Sequence, residues 1–371
     1  MHYKLALLGF GNVGREFARL LMRKEAELNA RYDITFTITG IATGRHGTAI
    51  NPDGLDLARV LAALESGQSL DQFTHLPITD SFDFIRKCPA DVLFENTPVN
   101  HATGEPAITH LRLALESGMH AITANKGPVV HAYRELTALA KAKGRRFFFE
   151  STVMDGAPIF SLFRSTLPAA QLQSFRGVLN STTNLILTRM EKGETFDQAV
   201  KYAQSIGIAE TDPSADVDGW DAAVKVAALV TVLMDTPLKP QQVERKGIRE
   251  ISPEKIAAAK GENKRWKLVC SARREGGSVT ARVWPELLLP NSPMYNIDGT
   301  TSLVEFETDV LGLLSIVETD PGPATTAYGL LADFINAVHS AASSRNPKIH
   351  REDAEAAKFY AQHLLGKPSR S

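Results

Sequence analysis

Cysteine is nearly missing: Cys88 and Cys270 are the only two in 371 residues. Neither lies in a CxxC or Cys/His cluster, which excludes a disulfide framework, argues against structural zinc and favours a reducing, cytoplasmic setting. An excess of either charge is missing too. With 41 Lys and Arg against 42 Asp and Glu the formal charge is -1, leaving no electrostatic basis for binding nucleic acid or an anionic membrane. No apolar run is long enough to span a bilayer, and the longest, Ala222 to Met234, carries Lys225. The opening MHYKLALLGFGNVGRE is only briefly apolar and offers no small-residue cleavage site, which argues against a signal peptide. Internal repeats and low-complexity segments are absent as well. What is there is an average soluble composition, 43% hydrophobic and 22% charged, in a chain long enough for two domains with separate cores. Small molecules are the expected partners.

The stretch YKLALLGFGNVGREFARLLMRK reads as a strand, Lys4 to Leu8, a glycine turn, and a helix with Val13, Phe17, Leu20 and Leu21 at helical spacing. Gly9, Phe10, Gly11, Asn12, Val13 and Gly14 thus form a GxGxxG turn between a first strand and a helix. Gly9 permits the tight turn, Gly11 lets the backbone approach a pyrophosphate, Gly14 lets helix and strand pack closely, and the helix N-terminus attracts phosphate. A lone GxGxxG is often a plain turn; this context favours a dinucleotide site. The next strand, Ile34 to Ala42, ends in Thr43, Gly44 and Arg45, with no acid to bond the adenosine ribose of NAD. That favours NADP, with Arg45 on the 2′-phosphate and NAD as the second choice; a solvated loop arginine is the plain alternative. Ala90 to Pro98 and His120 to Val130 read as later strands ending in polar turns, joined by a crossover helix in PAITHLRLALESG. Ligands gather at the carboxyl ends of such strands, which directs Thr97 and Lys126 to the cofactor crevice, although Lys126 also reads as an ordinary surface lysine.

RRFFFESTVMDGAPIFSLFRS gives a β-rich run ending at Glu150, a turn, and a helix from near Pro158. FRGVLNSTTNLILTRM repeats the pattern. Both turns fit simple helix caps. Together with an acidic loop they also supply the donors and acceptors that a small polar substrate needs. That loop is AETDPSADVDGWDAAVK, in which Glu210, Asp212, Asp216, Asp218 and Asp221 precede Lys225. From Gly219 to Met234 nearly every face is apolar, the mark of a buried helix. Asp221 and Lys225 lie four apart, on one face of it. A solvated ion pair is the plain reading, but a charge pair inside an apolar helix is costly unless function retains it. Asp218 is expected to cap the helix and Asp212, before Pro213, to make a turn. Glu210, Asp216, Asp221 and Lys225 remain for chemistry.

A hydride carrier, a lysine and carboxylates suit aldehyde reduction, where an ammonium polarises the carbonyl and supplies the proton. An unperturbed lysine titrates near ~10.4, so burial is expected to bring Lys225 towards neutrality while Asp221 opposes the shift. The carboxylates suit a substrate ammonium. The pattern therefore points to an amino acid bearing an aldehyde or an alcohol.

With these residues placed, the chain resembles the homoserine dehydrogenases from about residue 3 to residue 340. The resemblance rests on GFGNVG, GLDL, ITANKGPV, ESTVMDGAPI, GVLNSTTNLIL, TTAYGLLADFI and above all AETDPSADVDGWDAAVK. It implies an α/β fold: a Rossmann-like doubly wound nucleotide domain over 1–146, completed by a helix over about 324–341, then an α+β catalytic and dimerisation domain over 147–323. Residues 342–371 would form a peripheral tail. The activity implied is reversible reduction of L-aspartate 4-semialdehyde to L-homoserine with NADPH or NADH, on the route to threonine, methionine and isoleucine. Carried over by motif, Lys225 and Lys126 transfer protons, Glu210 and Asp221 hold substrate, Thr182 and Asp216 line the pocket, and Gly322 meets the cofactor. The resemblance also implies a sodium or potassium ion on backbone carbonyls of Glu150, Val153, Asp155 and Ala157. It further implies a homodimer built through Ser302 to Thr319, a segment that is strand-like in sequence.

The chain departs from the family pattern at Met154 and Asp155, where small residues are usual, at Ser181, where glycine is commoner, and in the shortened turn DPGPATT around Gly322. These changes border the substrate and metal regions and leave room for a different substrate. Neither an ACT domain nor a fused aspartate kinase is expected, and hence no threonine inhibition of that kind. Two other readings stay open: an oxidoreductase of the same fold for another small oxo or hydroxy acid, and a catalytically silent nucleotide sensor. Retention of Lys126, Asp221 and Lys225 together speaks against the sensor.

Overall fold

Four consecutive buried residues, Leu5 to Leu8, place β1 (His2–Leu8) in the middle of a sheet covered on both faces. The computed structural model describes residues 1–74 and 76–342; of the expected tail, everything after residue 342 lies outside the described residues. From β1 the chain runs through α1 (Asn12–Tyr32), β2 (Thr35–Ala42), a short β3 (Thr48–Ile50), α2 (Leu57–Glu65) and α3 (Ser81–Lys87). It continues through β4 (Val92–Glu95), α4 (Ala107–Glu116), β5 (His120–Thr123), α5 (Lys126–Ala142) and β6 (Phe147–Phe148). The sheet order is β3-β2-β1-β4-β5-β6, parallel except for β3 against β2. The order reverses between β1 and β4, so their carboxyl ends open the crevice in which Rossmann-like folds bind ligands.

The second sheet takes β7 (Leu172–Val178), β8 (Glu244–Arg245), β9 (Arg265–Glu275), β10 (Ser278–Leu288), β11 (Ser302–Thr308) and β12 (Gly312–Glu318). Its order is β12-β11-β7-β9-β10-β8, antiparallel except for β8 beside β10. Its helices are α6 (Ser181–Met190), α7 (Phe196–Ser205), α8 (Ser214–Val217), α9 (Trp220–Leu233) and α10 (Pro253–Gly261). Along α9, Ala222 to Val224 and Val226 to Thr231 are buried, as its all-round apolar sequence requires. This helix lies on β9 and β10 on one side and against α5 on the other, which joins the two units. The last helix, α11 (Pro323–Ala342), returns to α1, where Leu330, Phe334 and Val338 share a core with Leu5, Leu7 and Phe17. Among the described residues no helix is long and apolar enough to cross a membrane.

Three local expectations change. The strand expected over His120 to Val130 stops at Thr123, because the Asn125 side chain accepts the Gly127 N–H (2.9 Å) and starts α5 at Lys126. The run expected to end at Glu150 stops at Phe148, and Glu150 opens a tight 3-10 turn instead. Asp218 does not cap α9. Gly219, at φ +78°, takes that position without a side-chain bond, while the Asp218 carboxylate pairs with Arg249. Asp212 does make its turn, accepting the Ser214 N–H at 3.0 Å.

Candidate active site

The glycine turn leaves β1 at φ +89° on Gly9, where a Cβ would lie 2.4 Å from the Asn96 carbonyl carbon and oxygen. A Cβ on Gly14 would lie 2.7 Å from the Gly9 oxygen, so α1 could not sit this close to the strand with any other residue. At Gly11 the equivalent space is open. No side chain caps α1 and no acid stands in its first turn, which leaves its amides and dipole to an incoming anion. Phe10 is buried beneath the turn, and Asn12 and Val13 begin the helix. Arg15 Nε, one turn into α1, and both amide atoms of Asn96, beyond β4, are buried with no partner among the described residues. Orphaned polar atoms of this kind beside an uncapped helix end fit a dinucleotide.

Around this crevice the polar residues brace one another. Glu95, fully buried, accepts the Thr97 N–H (3.0 Å), the Thr97 hydroxyl and the Thr123 hydroxyl (2.9 Å), tying the ends of β4 and β5 together. Asn125 Nδ2 donates to the Thr97 carbonyl at 3.1 Å. Thr43 closes its own loop, accepting the His46 N–H (2.7 Å) and donating to the Gly47 carbonyl (3.2 Å); Arg45 stands exposed beside it. Gly322 opens the turn into α11 and donates its N–H to Thr325 Oγ1 at 2.8 Å.

Where α5 meets α9, Lys126 Nζ lies 3.2 Å from Asp221 Oδ1 and Lys225 Nζ lies 3.6 Å from Asp221 Oδ2. The three side chains are 15–20% exposed, so this is not a solvated pair. Lys225 also donates to the Leu179 carbonyl at 2.6 Å. Asn180, the cap of α6, donates to Asp216 Oδ1 (2.7 Å) and to Asp221 Oδ2 (3.0 Å). Thr182, on the first turn of α6, bonds the Ile208 carbonyl (3.3 Å) and lies against Asp216.

The charges set one another. Burial would raise the Asp221 carboxyl, but Lys126 and Lys225 hold it well below the usual carboxylate range. Burial and the neighbouring Asp221 push Asp216 up. For Lys225, burial lowers the proton affinity, yet Asp221, with Asp155, Cys270 and Asp216 behind it, more than offsets this and leaves it above the ordinary lysine value. The expected drift towards neutrality is thus reversed, and Lys225 is held as an ammonium.

Three polar groups escaped the sequence reading. Asn180 bridges the two carboxylates. Glu318, at the end of β12, is raised to about 7 by burial and by Asp155, against Lys225 and the Gly156 N–H; its Oε2 is buried without a partner. His101, beyond β4, senses Asp221, Lys126 and Glu210 together. Glu210 itself stands exposed at the rim. The turn from Glu150 to Ala157 lies beside the start of α11, and through Asp155 it acts on Lys225 and Glu318. Glu150, 3% exposed, accepts the Phe160 and Ser161 N–H groups at 2.6 and 2.7 Å, and burial raises its carboxyl. Val153 and Met154 are buried, Asp155 accepts the Thr325 hydroxyl at 3.0 Å, and the Ala157 carbonyl already takes the Ile159 N–H at 2.8 Å. Among the described residues no three His, Cys, Asp or Glu side chains group as metal ligands. Ser181 faces Ser302 across 3.5 Å.

The sequence matches the family description "Homoserine dehydrogenase, NAD binding domain" over residues 9–150 and "Homoserine dehydrogenase" over residues 158–335. It is 38% identical to an NAD(+)-dependent homoserine dehydrogenase of Pseudomonas canavaninivorans, over 92% of this chain and 98% of that protein. A homoserine dehydrogenase of Methanocaldococcus jannaschii is 36% identical over 91% of this chain and 98% of its own length. Among solved structures, a hyperthermophilic archaeal homoserine dehydrogenase mutant in complex with NADPH superposes with a TM-score of 0.77 at 29% identity, covering 91% of this chain and 98% of that one.

Proposed function

The chain belongs to the homoserine dehydrogenase family, and from that premise we propose that Lys225 and Lys126, held on either side of Asp221, carry proton transfer between L-aspartate 4-semialdehyde and L-homoserine. The observation that carries this reading is the Lys126–Asp221–Lys225 array at 3.2 and 3.6 Å, set where the second unit meets the crevice of the first. A nicotinamide cofactor supplies or takes the hydride when bound. In the reducing direction the Lys225 ammonium polarises the aldehyde oxygen and gives it a proton; in the oxidising direction the neutral amine takes the hydroxyl proton. Asp221 and the Leu179 carbonyl hold Lys225 in place, and Asn180 holds Asp221. Glu210, Asp216 and Thr182 offer acceptors for the substrate α-ammonium.

Gly9, Gly11 and Gly14, the uncapped α1 N-terminus, Asn96 and Thr97 would hold the dinucleotide, with Lys126 and Gly322 towards its reactive end. The relatives' names include both NAD(+) and NADPH. Arg45 after β2, with no acid beside it, supports a preference for NADPH. A monovalent cation on the carbonyls of Glu150, Val153, Asp155 and Ala157 is part of the same reading, with Ala157 its weakest ligand because its carbonyl is already engaged. The exposed Leu311, Leu313 and Val317 on the β11–β12 hairpin support a homodimer through this edge of the second sheet, and two buried free cysteines suit the cytoplasm. The test is the initial rate of NADPH oxidation with L-aspartate 4-semialdehyde, with Lys225→Ala and Lys126→Ala beside the wild type. Loss of about 100-fold or more in kcat for Lys225→Ala, with NADPH binding retained, is expected. Equal rates in wild type and Lys225→Ala would sink the assignment.

A further inference from the structure

His101 lies in the loop between β4 and α4, and its imidazole enters none of the contacts described so far. The loop is fixed from two sides. Asn100 Oδ1 accepts the Ala102 and Thr103 N–H groups at 3.1 and 3.2 Å, and His131 Nε2, on α5, donates to the His101 carbonyl at 3.1 Å. On this braced backbone the His101 ring is half-buried, and its Nδ1 is buried with no hydrogen-bond partner among the described residues. The charged and titratable groups that act on it electrostatically come from three elements: Asp221 from α9, Lys126 and His131 from α5, and Glu210 from the loop before α8. The loop also packs on the start of α5, where a Cβ on Gly127 would lie 2.8 Å from Gly104 Cα and 3.4 Å from the Asn100 oxygen, which sets it beside Lys126 and the ion array. Burial lowers the ring's proton affinity, opposed by Asp221 and Glu210, so at neutral pH it is an uncharged imidazole.

We propose that His101 is a substrate-binding residue that selects for an amino acid, its Nδ1 accepting a hydrogen bond from the substrate α-ammonium beside Glu210. This rests on the dehydrogenase reading given above. Two arguments fix the choice of group. Two carboxylates and one ammonium act on the ring, so the local potential favours the cationic end of the substrate over its carboxylate. A buried ring nitrogen without a partner is also costly to leave unpaired, and an ammonium is the donor that the substrate can bring. The opposite assignment, a carboxylate bound by a protonated ring, predicts the opposite pH dependence.

The experiment measures kcat and KM for oxidation of L-homoserine, and of 4-hydroxybutyrate, which lacks the amino group, between pH 5 and 8. The full chain is used as wild type, His101→Ala and His101→Asn. As pH falls and the ring protonates, the wild-type KM for homoserine should rise, beyond the fall in kcat that protonation of Lys225 imposes on every variant alike. That rise should be missing from His101→Asn, whose amide oxygen keeps an acceptor without a titration. In His101→Ala, the preference for homoserine over 4-hydroxybutyrate should fall by about 10- to 100-fold, the factor carried by a lost hydrogen bond to a charged group. His101→Asn should restore part of it. A wild-type KM that falls on acidification, or an unchanged preference in His101→Ala, overturns the role of His101 and leaves the dehydrogenase reading standing. A wild type that binds NADPH but turns over neither alcohol overturns both.

Discussion

Replacing Asp221 by Asn keeps the shape of the side chain and removes the one charge that both lysines share. At 3.6 Å, with an effective dielectric of ~20, Asp221 and Lys225 attract by about 4–5 kcal/mol, which holds the proton on the lysine. Burial, which opposes protonation of Lys225, is unchanged by the substitution, while Asp216 and Asp155 retain only part of the opposing pull. Lys225 should therefore drop from above the ordinary lysine value to well below it. The pH dependence of kcat for homoserine oxidation reads this directly, because in that direction the amine must be neutral to take a proton. Rates in the wild type should still be climbing at the alkaline end of the accessible range. In Asp221→Asn the climb should level off at clearly lower pH, on a smaller maximum, since Lys126 loses its partner as well. An inflection that stays where it is would mean that charge pairing with Asp221 does not set the proton affinity of Lys225, and the electrostatic account of the site would fail.

Gly9→Ala puts a Cβ into the Asn96 backbone at a left-handed φ, so both thermal stability and NADPH affinity should fall, the strain alone costing about 1–3 kcal/mol; a variant that binds NADPH like the wild type would refute the turn's role. Arg45→Ala should raise KM for NADPH by about 10- to 100-fold and leave NADH unchanged, whereas equal effects on both cofactors would place Arg45 away from the 2′-phosphate. Lys267 is fully buried on β9, donating to Asn184 Oδ1 at 2.8 Å and to the Ile297 carbonyl, and burial lowers it to about 8. Between that value and the ordinary lysine range the unfolded chain holds a proton that the folded chain has released, so stability gains from Lys267 as pH rises. Urea unfolding of wild type and Lys267→Met at pH 7 and pH 10 should therefore show a gap that moves in favour of the wild type by up to about 3 kcal/mol, and a constant gap would show that Lys267 is charged throughout.

How far the sequence carries the site depends on whether the deciding contact is local. The turn from Gly9 to Gly14 is legible because its steric demands are met within one strand, one turn and one helix. α9 is legible for a similar reason: an apolar helix with Asp221 and Lys225 four residues apart leaves few places for that pair except the interior. Asp218 looked like its cap on equally local grounds. Arg249, far along the chain, takes that carboxylate, and a left-handed Gly219 turns the backbone without it. The same limit governs the chemistry. Lys225 read alone should lose its proton on burial, and it keeps it because Asp221, Asp155 and Asp216 converge on it from three segments. His101 and Glu318 carry no site motif, and Asn180 reads within GVLNSTTNLIL only as part of a capping turn: a helix cap, a loop histidine and the last residue of a strand acquire meaning only when α5, α6, α9 and β12 come together. Periodicity can say which face a side chain occupies, but which faces meet, and so which charges balance, is decided by the packing of the two units.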